Sequence, residues 1–403
     1  MDIVVMGGSH AAIGFAAELR KHDTESRLVI ISADHSLPYH RPPLSKAYMS
    51  GKSTLDQILL RPGDWYETNQ IELKLGMRVA AIIREDRHVL LTDGEKISYD
   101  RLVIATGADP RRLPEEMGGL LENVHVMRDL SDADRLMAEM ADGRRLVVIG
   151  GGYIGLEAAS EAAKRGVSVT VIEAADRILK RVASKETADD VRELHRAHGV
   201  DIRENTALAR IVGENGKATG VELSTGEVLP ADFVITGIGV TPNVLIPETA
   251  GLTISNGISV NEHLQTSDPD IFAIGDCACF EFHGRPTRLE SVQNANDMGV
   301  VAAQNVLGGN AVYRPVPWFW SDQFDLKLQI AGLNTGYDTV ISRPGARPGA
   351  KSHFYFKGDT FLAADCLNDG ATYMICRRLL EAGKGPSPEQ VRDPQFVLKS
   401  LLG

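Results

Sequence analysis

The chain opens on an apolar run, Ile3-Val4-Val5-Met6, that breaks at Gly7-Gly8-Ser9. A helical rhythm follows to Arg20, and a second apolar run fills Leu28 to Ile31. The same order returns in the middle of the chain. Leu146-Val147-Val148-Ile149 breaks at Gly150-Gly151-Gly152, a helical pattern runs to Arg165, and Val167 to Ile172 reads as the next strand. Short apolar runs bounded by turn residues predict strands buried on both faces. Two copies of a strand-loop-helix-strand plan are therefore expected.

Both copies also close alike. Val89-Leu90-Leu91 and Val221-Glu222-Leu223 each precede a turn, Asp93-Gly94 and Thr225-Gly226, that predicts a hairpin. Each hairpin leads to a buried strand running out into glycine: Leu102 to Ile104, then Ala105-Thr106-Gly107, and Phe233 to Thr236, then Gly237-Ile238-Gly239. Two βαβ domains with small antiparallel inserts are the economical reading. Past Pro315-Val316-Pro317 the pattern changes. Lys327 to Ile330, His353 to Phe356 and Phe361 to Asp365 alternate as an antiparallel sheet does, and a helix is expected around Tyr373 to Glu381.

Composition narrows the partners. At 403 residues the chain predicts two or three domains, and a net charge of −11 argues against nucleic acid or an anionic membrane surface. The charge is uneven: from Trp318 onward ten Lys/Arg face nine acids, so the acidity sits in the earlier part. No apolar run reaches membrane-spanning length and no signal-like segment is read, so the expected location is cytoplasmic. The four cysteines, Cys277, Cys279, Cys366 and Cys376, form no CxxC pair, which suits a reducing compartment. His10, His40 and His283 lack ligand spacing and read as loop or surface residues; no metal site is expected.

The glycine breaks carry the chemistry. Gly150-x-Gly152-x-x-Gly155 lies between a strand and a helix, where glycines permit a tight turn and close approach of a pyrophosphate to a helix N-terminus. Tyr153 and Ile154 belong to the same loop. Glu173 closes the next strand, the place of a carboxylate that binds a ribose hydroxyl pair. Ala174 and Ala175 follow it without an adjacent arginine, which favours NADH over NADPH, although Arg177, Lys180 and Arg181 stand near. The first loop departs from the pattern: Ser9 replaces the second glycine and Ala12 the third, and Ala33 occupies the usual position of the acid, leaving Asp34 as the candidate.

Five segments then resemble one family: Leu37-Pro38-Tyr39-His40-Arg41-Pro42-Pro43-Leu44-Ser45-Lys46; Gly151 to Glu157; Thr266-Ser267-Asp268-Pro269 through Gly275-Asp276-Cys277; Glu290-Ser291-Val292-Gln293-Asn294-Ala295; and Pro317-Trp318-Phe319-Trp320-Ser321-Asp322-Gln323. Together they resemble the putidaredoxin reductase family, FAD enzymes that reduce [2Fe-2S] ferredoxins for cytochromes P450 and aromatic-ring dioxygenases. The resemblance implies an α/β fold with two Rossmann-like dinucleotide-binding domains of the glutathione-reductase type and a C-terminal α+β domain. It places an FAD domain at 1–110 and 238–317, an NAD domain at 111–237 and the C-terminal domain at 318–403.

It also implies roles. Gly7, Ser9, His10, Ala11, Asp34, Arg41, Val79, Ala105, Thr106, Gly107, Arg128, Gly275, Asp276, Glu290, Ser291 and Val292 become FAD contacts. Gly150, Gly152, Tyr153, Ile154, Gly155, Glu173, Gly237, Ile238 and Gly239 bind NADH. Lys46 pairs with Glu157 beside flavin N5, Trp320 closes over the pyrimidine side, and Tyr153 rests on the flavin until NADH arrives. These four, Lys46, Glu157, Tyr153 and Trp320, are the catalytic candidates.

Related disulfide reductases carry a reactive cysteine soon after the first domain's second strand, whereas His35 to Lys46 has none. The implied activity is NADH:ferredoxin reductase, acting as a monomer or weak homodimer. The less acidic C-terminal domain is the candidate docking surface, with Lys327, Arg377 and Arg378 as its cations. Two other readings stay open: an NADH-sensing flavoprotein resembling apoptosis-inducing factor, and an NADH dehydrogenase with a quinone or other diffusible acceptor.

Overall fold

A computed structural model describes residues 1–403. By packing, the chain divides into two units. One comprises Met1–Arg41, Ser53–Asp109 and Val240–Pro315, the other Pro42–Lys52, Pro110–Gly239 and Val316–Gly403.

The first unit is built on a five-stranded parallel sheet in the order Ile271–Ala273, Arg101–Ile104, Asp2–Met6, Arg27–Ser32, Ile71–Leu75. Ile3, Val4, Val5, Leu102, Val103 and Ile104 are all fully buried, so the sheet is covered on both faces and its strands have no polar side for alternation. The helix His10–His22 lies along Val292–Val306. Their contact is glycine-thin: a Cβ on Gly299 would meet the Phe15 nitrogen at 2.6 Å and the Ala11 carbonyl oxygen at 2.8 Å. The predicted hairpin is present as His88–Leu91 and Lys96–Ser98, extended by Val79–Ile83.

The second unit repeats the plan. Its parallel sheet runs Asp201–Arg203, Ser168–Ile172, Arg145–Ile149, Phe233–Thr236, Val124–His125, with a three-stranded antiparallel insert of Leu208–Glu214, Lys217–Leu223 and Val228–Pro230. The helix Tyr153–Ala163 ends where expected: Gly166 adopts φ +79 beyond Lys164 and Arg165.

The same unit contains the C-terminal antiparallel sheet, ordered Trp318–Gln323, Leu326–Gly332, Thr360–Leu367, Lys351–Lys357, Thr339–Pro344, and the helix Gly370–Glu381. Two of its strands, Trp318–Gln323 and Thr339–Pro344, escape the sequence pattern. The first carries aromatic residues on both faces. The second is an edge strand, where Pro344 is tolerated but alternation is weak.

Candidate functional site

In the first unit the loop after Asp2–Met6 is held by backbone contacts that only glycine allows. Gly7 adopts φ +112, and a Cβ there would lie 2.2 Å from the Ala105 carbonyl oxygen. The Gly7 nitrogen donates to the Ile31 carbonyl at 2.8 Å, and Ala105 nitrogen to Met6 at 2.7 Å. The following Thr106-Gly107 is clamped by Asn243, whose Nδ2 donates to the Thr106 carbonyl while Thr106 Oγ1 donates to the Asn243 carbonyl, each at 3.0 Å.

Ser9, in place of a glycine, does not cap its helix. Its hydroxyl accepts instead from Arg41 Nε at 3.2 Å, and Arg41 also donates to Asp34 at 2.9 Å. Serine thus fixes a cation at the helix entrance. His10 corrects one expectation: it is buried, not on the surface, with its ring edge-on to exposed His40 at 5.4 Å.

Gly275 lies against Ala11, where a Cβ would approach the alanine side chain to 3.1 Å, and its nitrogen donates to Met298 Sδ. Arg288 donates to the Asp276 carbonyl at 3.1 Å and pairs with Glu290 at 2.7 Å. Ser291 caps the helix that Val292 begins, accepting from the Asn294 nitrogen. Glycine-mediated helix contact therefore draws the first loop, Gly275-Asp276 and Glu290-Ser291-Val292 to one end of this unit. Val79 is a buried strand residue paired with Leu91, two positions after Met77, whose nitrogen donates to the Ser32 carbonyl at 2.9 Å.

The second unit reproduces the glycine contact. Gly150, at φ +105, would place a Cβ 2.5 Å from the Gly237 carbonyl oxygen, and a Cβ on Gly155 would meet the Gly150 oxygen at 2.5 Å. Gly152 differs: a Cβ there meets nothing within 4 Å, so the loop is open on that face. Glu173 reaches back to the loop, one carboxylate oxygen accepting from the Gly151 nitrogen and the other from Ala175 nitrogen, both at 2.8 Å. Ile154 and Ile238 are exposed apolar residues, and Gly239 has open space at φ +96. The Arg128 nitrogen donates to Asp132 at the start of the helix Leu130–Glu139, in this unit and not in the first.

Helix capping tests whether phosphate groups fit. Among helices of ten or more residues, those starting at Leu130, Lys185, Val292 and Gly370 have a side chain from Asp129, Ser184, Ser291 or Asp369 on their terminal N–H groups. The two without one follow the glycine loops, at Ser9 and Gly152. Terminal N–H groups left for an anion, beside Arg41 in one unit and an open Gly152 in the other, fit dinucleotide pyrophosphates.

Lys46 and Glu157, 111 residues apart in sequence, form an ion pair of 2.6 Å with side-chain exposures of 19% and 6%. Sequence reasoning missed what else holds Glu157. Ser45 Oγ donates to the same carboxylate oxygen at 2.8 Å, and Ser321 Oγ donates to the other at 2.7 Å. Ser321 stands in the Trp-Phe-Trp-Ser-Asp-Gln run, where only Trp320 had suggested a role.

Trp320 is half-buried, with its ring 5.6 Å from Trp318, over which Arg377 stacks at 5.2 Å. The Tyr153 hydroxyl is buried without a hydrogen-bond partner, and burial, then Asp365 and Tyr355, push its pKa well above the usual phenol value. All four cysteines are buried free thiols, and burial raises each pKa, that of Cys376 to about 12.

Comparison with known proteins decides the family. Residues 1–299 match the pyridine nucleotide-disulphide oxidoreductase family model, and 318–402 match a reductase C-terminal domain. The chain belongs to this family. A ferredoxin–NAD(P)(+) reductase of Sphingomonas sp is 40% identical over 405 residues, covering 100% of this chain and 97% of the relative. Putidaredoxin reductase of Pseudomonas putida is 39% identical over 407 residues, covering 100% and 96%. The crystal structure of the covalent putidaredoxin reductase–putidaredoxin complex superimposes with a TM-score of 0.96 at 39% identity, over 100% of this chain and 98% of that one.

The resemblance carried by the five motifs thus holds over the full length, and the two Rossmann-like domains with a C-terminal α+β domain are those of this family. The oxidoreductase uses FAD and a pyridine nucleotide. No helix is long and apolar enough to cross a membrane.

Proposed function

We propose that the chain is an NADH:ferredoxin reductase whose acceptor is a [2Fe-2S] ferredoxin serving a cytochrome P450 or a ring-hydroxylating dioxygenase. One observation carries the reading: a pyridine nucleotide-disulphide oxidoreductase scaffold in which every cysteine is a buried, undissociated thiol. With no thiol to take electrons from the cofactor, the acceptor is external. The Sphingomonas relative is named for ferredoxin, and the solved complex joins such a reductase to putidaredoxin.

A nicotinamide gives up a hydride and an iron-sulfur centre takes single electrons, a conversion that FAD supplies when bound. The residues divide the remaining work. Segments 1–110 and 238–317 hold FAD, with Arg41, fixed by Ser9 and Asp34, against its phosphates. Segment 111–237 holds NADH: the helix N-terminus at Gly152 takes the pyrophosphate, and Glu173 keeps the loop shaped and faces the ribose. Ala174 and Ala175 offer no cation to a 2′-phosphate, and Arg177 spends a guanidinium N–H on the Ala183 carbonyl, which supports NADH as donor. Lys46, locked to Glu157, sets a fixed positive charge beside the flavin, and Trp320 excludes water there. Tyr153 moves aside as nicotinamide arrives.

Ferredoxin docks partly through segment 318–403. Lys327 and Arg378 are exposed and serve as its cations, whereas Arg377 is already committed to Glu381 and the Trp318 ring. The test is spectroscopic. Purified protein should be yellow, should bleach with anaerobic NADH, and should reduce cytochrome c rapidly only when a [2Fe-2S] ferredoxin is added. A long-lived charge-transfer band without turnover in any ferredoxin overturns the assignment in favour of a sensor.

A further inference from the structure

Behind Glu157 lies a buried file of polar groups that the proposed reaction leaves unexplained. His195, on the helix Lys185–Ala197, is fully buried, as is Gln323, and Ser321 is 1% exposed. His195 Nε2 lies 2.8 Å from Gln323 Oε1, Gln323 Nε2 lies 3.0 Å from Ser321 Oγ, and Ser321 Oγ lies 2.7 Å from Glu157 Oε1. All belong to the second unit.

Donor and acceptor chemistry orders the file in one direction. A carboxylate oxygen only accepts, so the Ser321 hydroxyl must donate to Glu157. Its oxygen is then free to accept, and the Gln323 amide group supplies the N–H. The carbonyl end of Gln323 therefore faces the imidazole, which must donate from Nε2. His195 Nδ1 is buried and has no partner, so a proton placed there would find no acceptor. Burial, opposed by the Gln323 hydrogen bond and aided by His198, pushes the imidazole down to about 4, in keeping with a neutral ring.

The surroundings hold Gln323 in this orientation. Phe324, the next residue, adopts the left-handed φ of +53 that a non-glycine residue avoids. Its nitrogen donates to buried Ser160 Oγ at 2.8 Å, and its ring packs edge-on to His195 and flat on His198 at 3.9 Å. A strained turn retained at this point over-determines the direction of the neighbouring amide.

We propose that His195, Gln323 and Ser321 are positioning residues: a one-way hydrogen-bond chain from a single histidine tautomer that orients Glu157 for its pairing with Lys46 and so tunes hydride delivery. The inference rests on the reading above that Lys46 and Glu157 work beside the flavin. Loss of Ser321 frees one Glu157 oxygen directly, whereas loss of His195 acts on it only through Gln323 and Ser321, so the consequences run along one chain and are shared rather than summed.

Nitrogen-15 histidine NMR of the FAD-loaded protein tests the chain directly. His195 should show protonated Nε2 and bare Nδ1, unchanged across about pH 6 to 8. His195→Phe and Ser321→Ala should each slow flavin bleaching by NADH about tenfold at unchanged nicotinamide affinity and shift the flavin midpoint potential in the same direction. The double variant should go no further than the larger single, and His195→Gln, which retains an N–H donor, should recover most of the loss.

An Nδ1-protonated or titrating His195 overturns the proposal, as does a potential that moves in Ser321→Ala but not in His195→Phe. If the variants do not fold, the tautomer alone decides. Protein that takes up no flavin defeats the reductase reading instead, and the same NMR measurement on the flavin-free chain still judges the relay.

Discussion

Ser321 Oγ and Ser45 Oγ donate to opposite carboxylate oxygens of Glu157, 2.7 and 2.8 Å away, so the acid that holds Lys46 is itself held from two sides. An ion pair exposed by 19% and 6% gains from its neighbours what it loses by leaving water. Lys46→Gln strands a buried carboxylate, whereas Glu157→Gln leaves a lysine with a route to solvent. Lys46→Gln should therefore lower the melting temperature more. Both should reduce the rate of flavin reduction by about tenfold or more, with NADH affinity nearly intact, as read by differential scanning fluorimetry and stopped-flow absorbance.

The two kinds of loop glycine make opposite predictions. Gly150→Ala drives a methyl into the Gly237 carbonyl and forces a residue into φ +105, so the protein should melt several degrees lower or fail to fold. Gly152→Ala meets nothing, so the fold should stand while the methyl intrudes on the bound pyrophosphate. Its signature is an unchanged melt with NADH KM raised about tenfold. Equal melting losses in the two variants would contradict the assignment of the open face to a ligand.

Glu173 accepts from both Gly151 and Ala175, which makes it a brace for the loop as well as a ribose contact. Glu173→Ala should weaken NADH binding by about tenfold, roughly the loss of one or two hydrogen bonds. Its flavin content should match wild type, because the first unit has its own loop. Isothermal titration of the oxidised protein and the absorbance ratio of flavin to protein separate these effects.

Asp365 titrates against the usual direction. Burial raises its carboxyl to about 6, against donation from Tyr355 and from Thr187, the latter at 2.7 Å, and its second oxygen has no partner. The native state thus keeps this proton at pH values where the unfolded chain, with an ordinary value of 3.8, has released it. Its stabilising contribution is complete below about pH 4 and is lost as pH rises through about 6. Asp365→Asn, which cannot ionise, should raise the melting temperature by roughly 2–5 °C at pH 8, with the gain shrinking as pH falls below 6. Equal gains at pH 5 and 8 would refute this.

Legibility in the sequence followed the range of the interaction. The paired strand-loop-helix units could be read because parallel strands buried on both faces are uninterrupted apolar runs, and because only glycine satisfies Gly7 and Gly150. Leu208–Glu214 was less visible, since only Ile211 in it is buried and no strong alternation results. Lys46 with Glu157 came from resemblance, not pattern. Ser45, Ser321, Gln323 and His195 were out of reach: each is an ordinary polar residue locally, and only folding across more than a hundred positions makes it a partner. His10 was misplaced because a histidine beside a glycine turn looks solvent-facing until helix Val292–Val306 closes over its neighbours.

The two long helices that lack a capping side chain have a consequence for the living cell. Neither helix has a capping side chain at Ser9 or Gly152, so nucleotide phosphate would complete these two N-termini. Ligands that bind only the native state shift the folding equilibrium by mass action. Starving a host of riboflavin should thus reduce how much of this protein accumulates in soluble form, and adding the vitamin during expression should restore the yield.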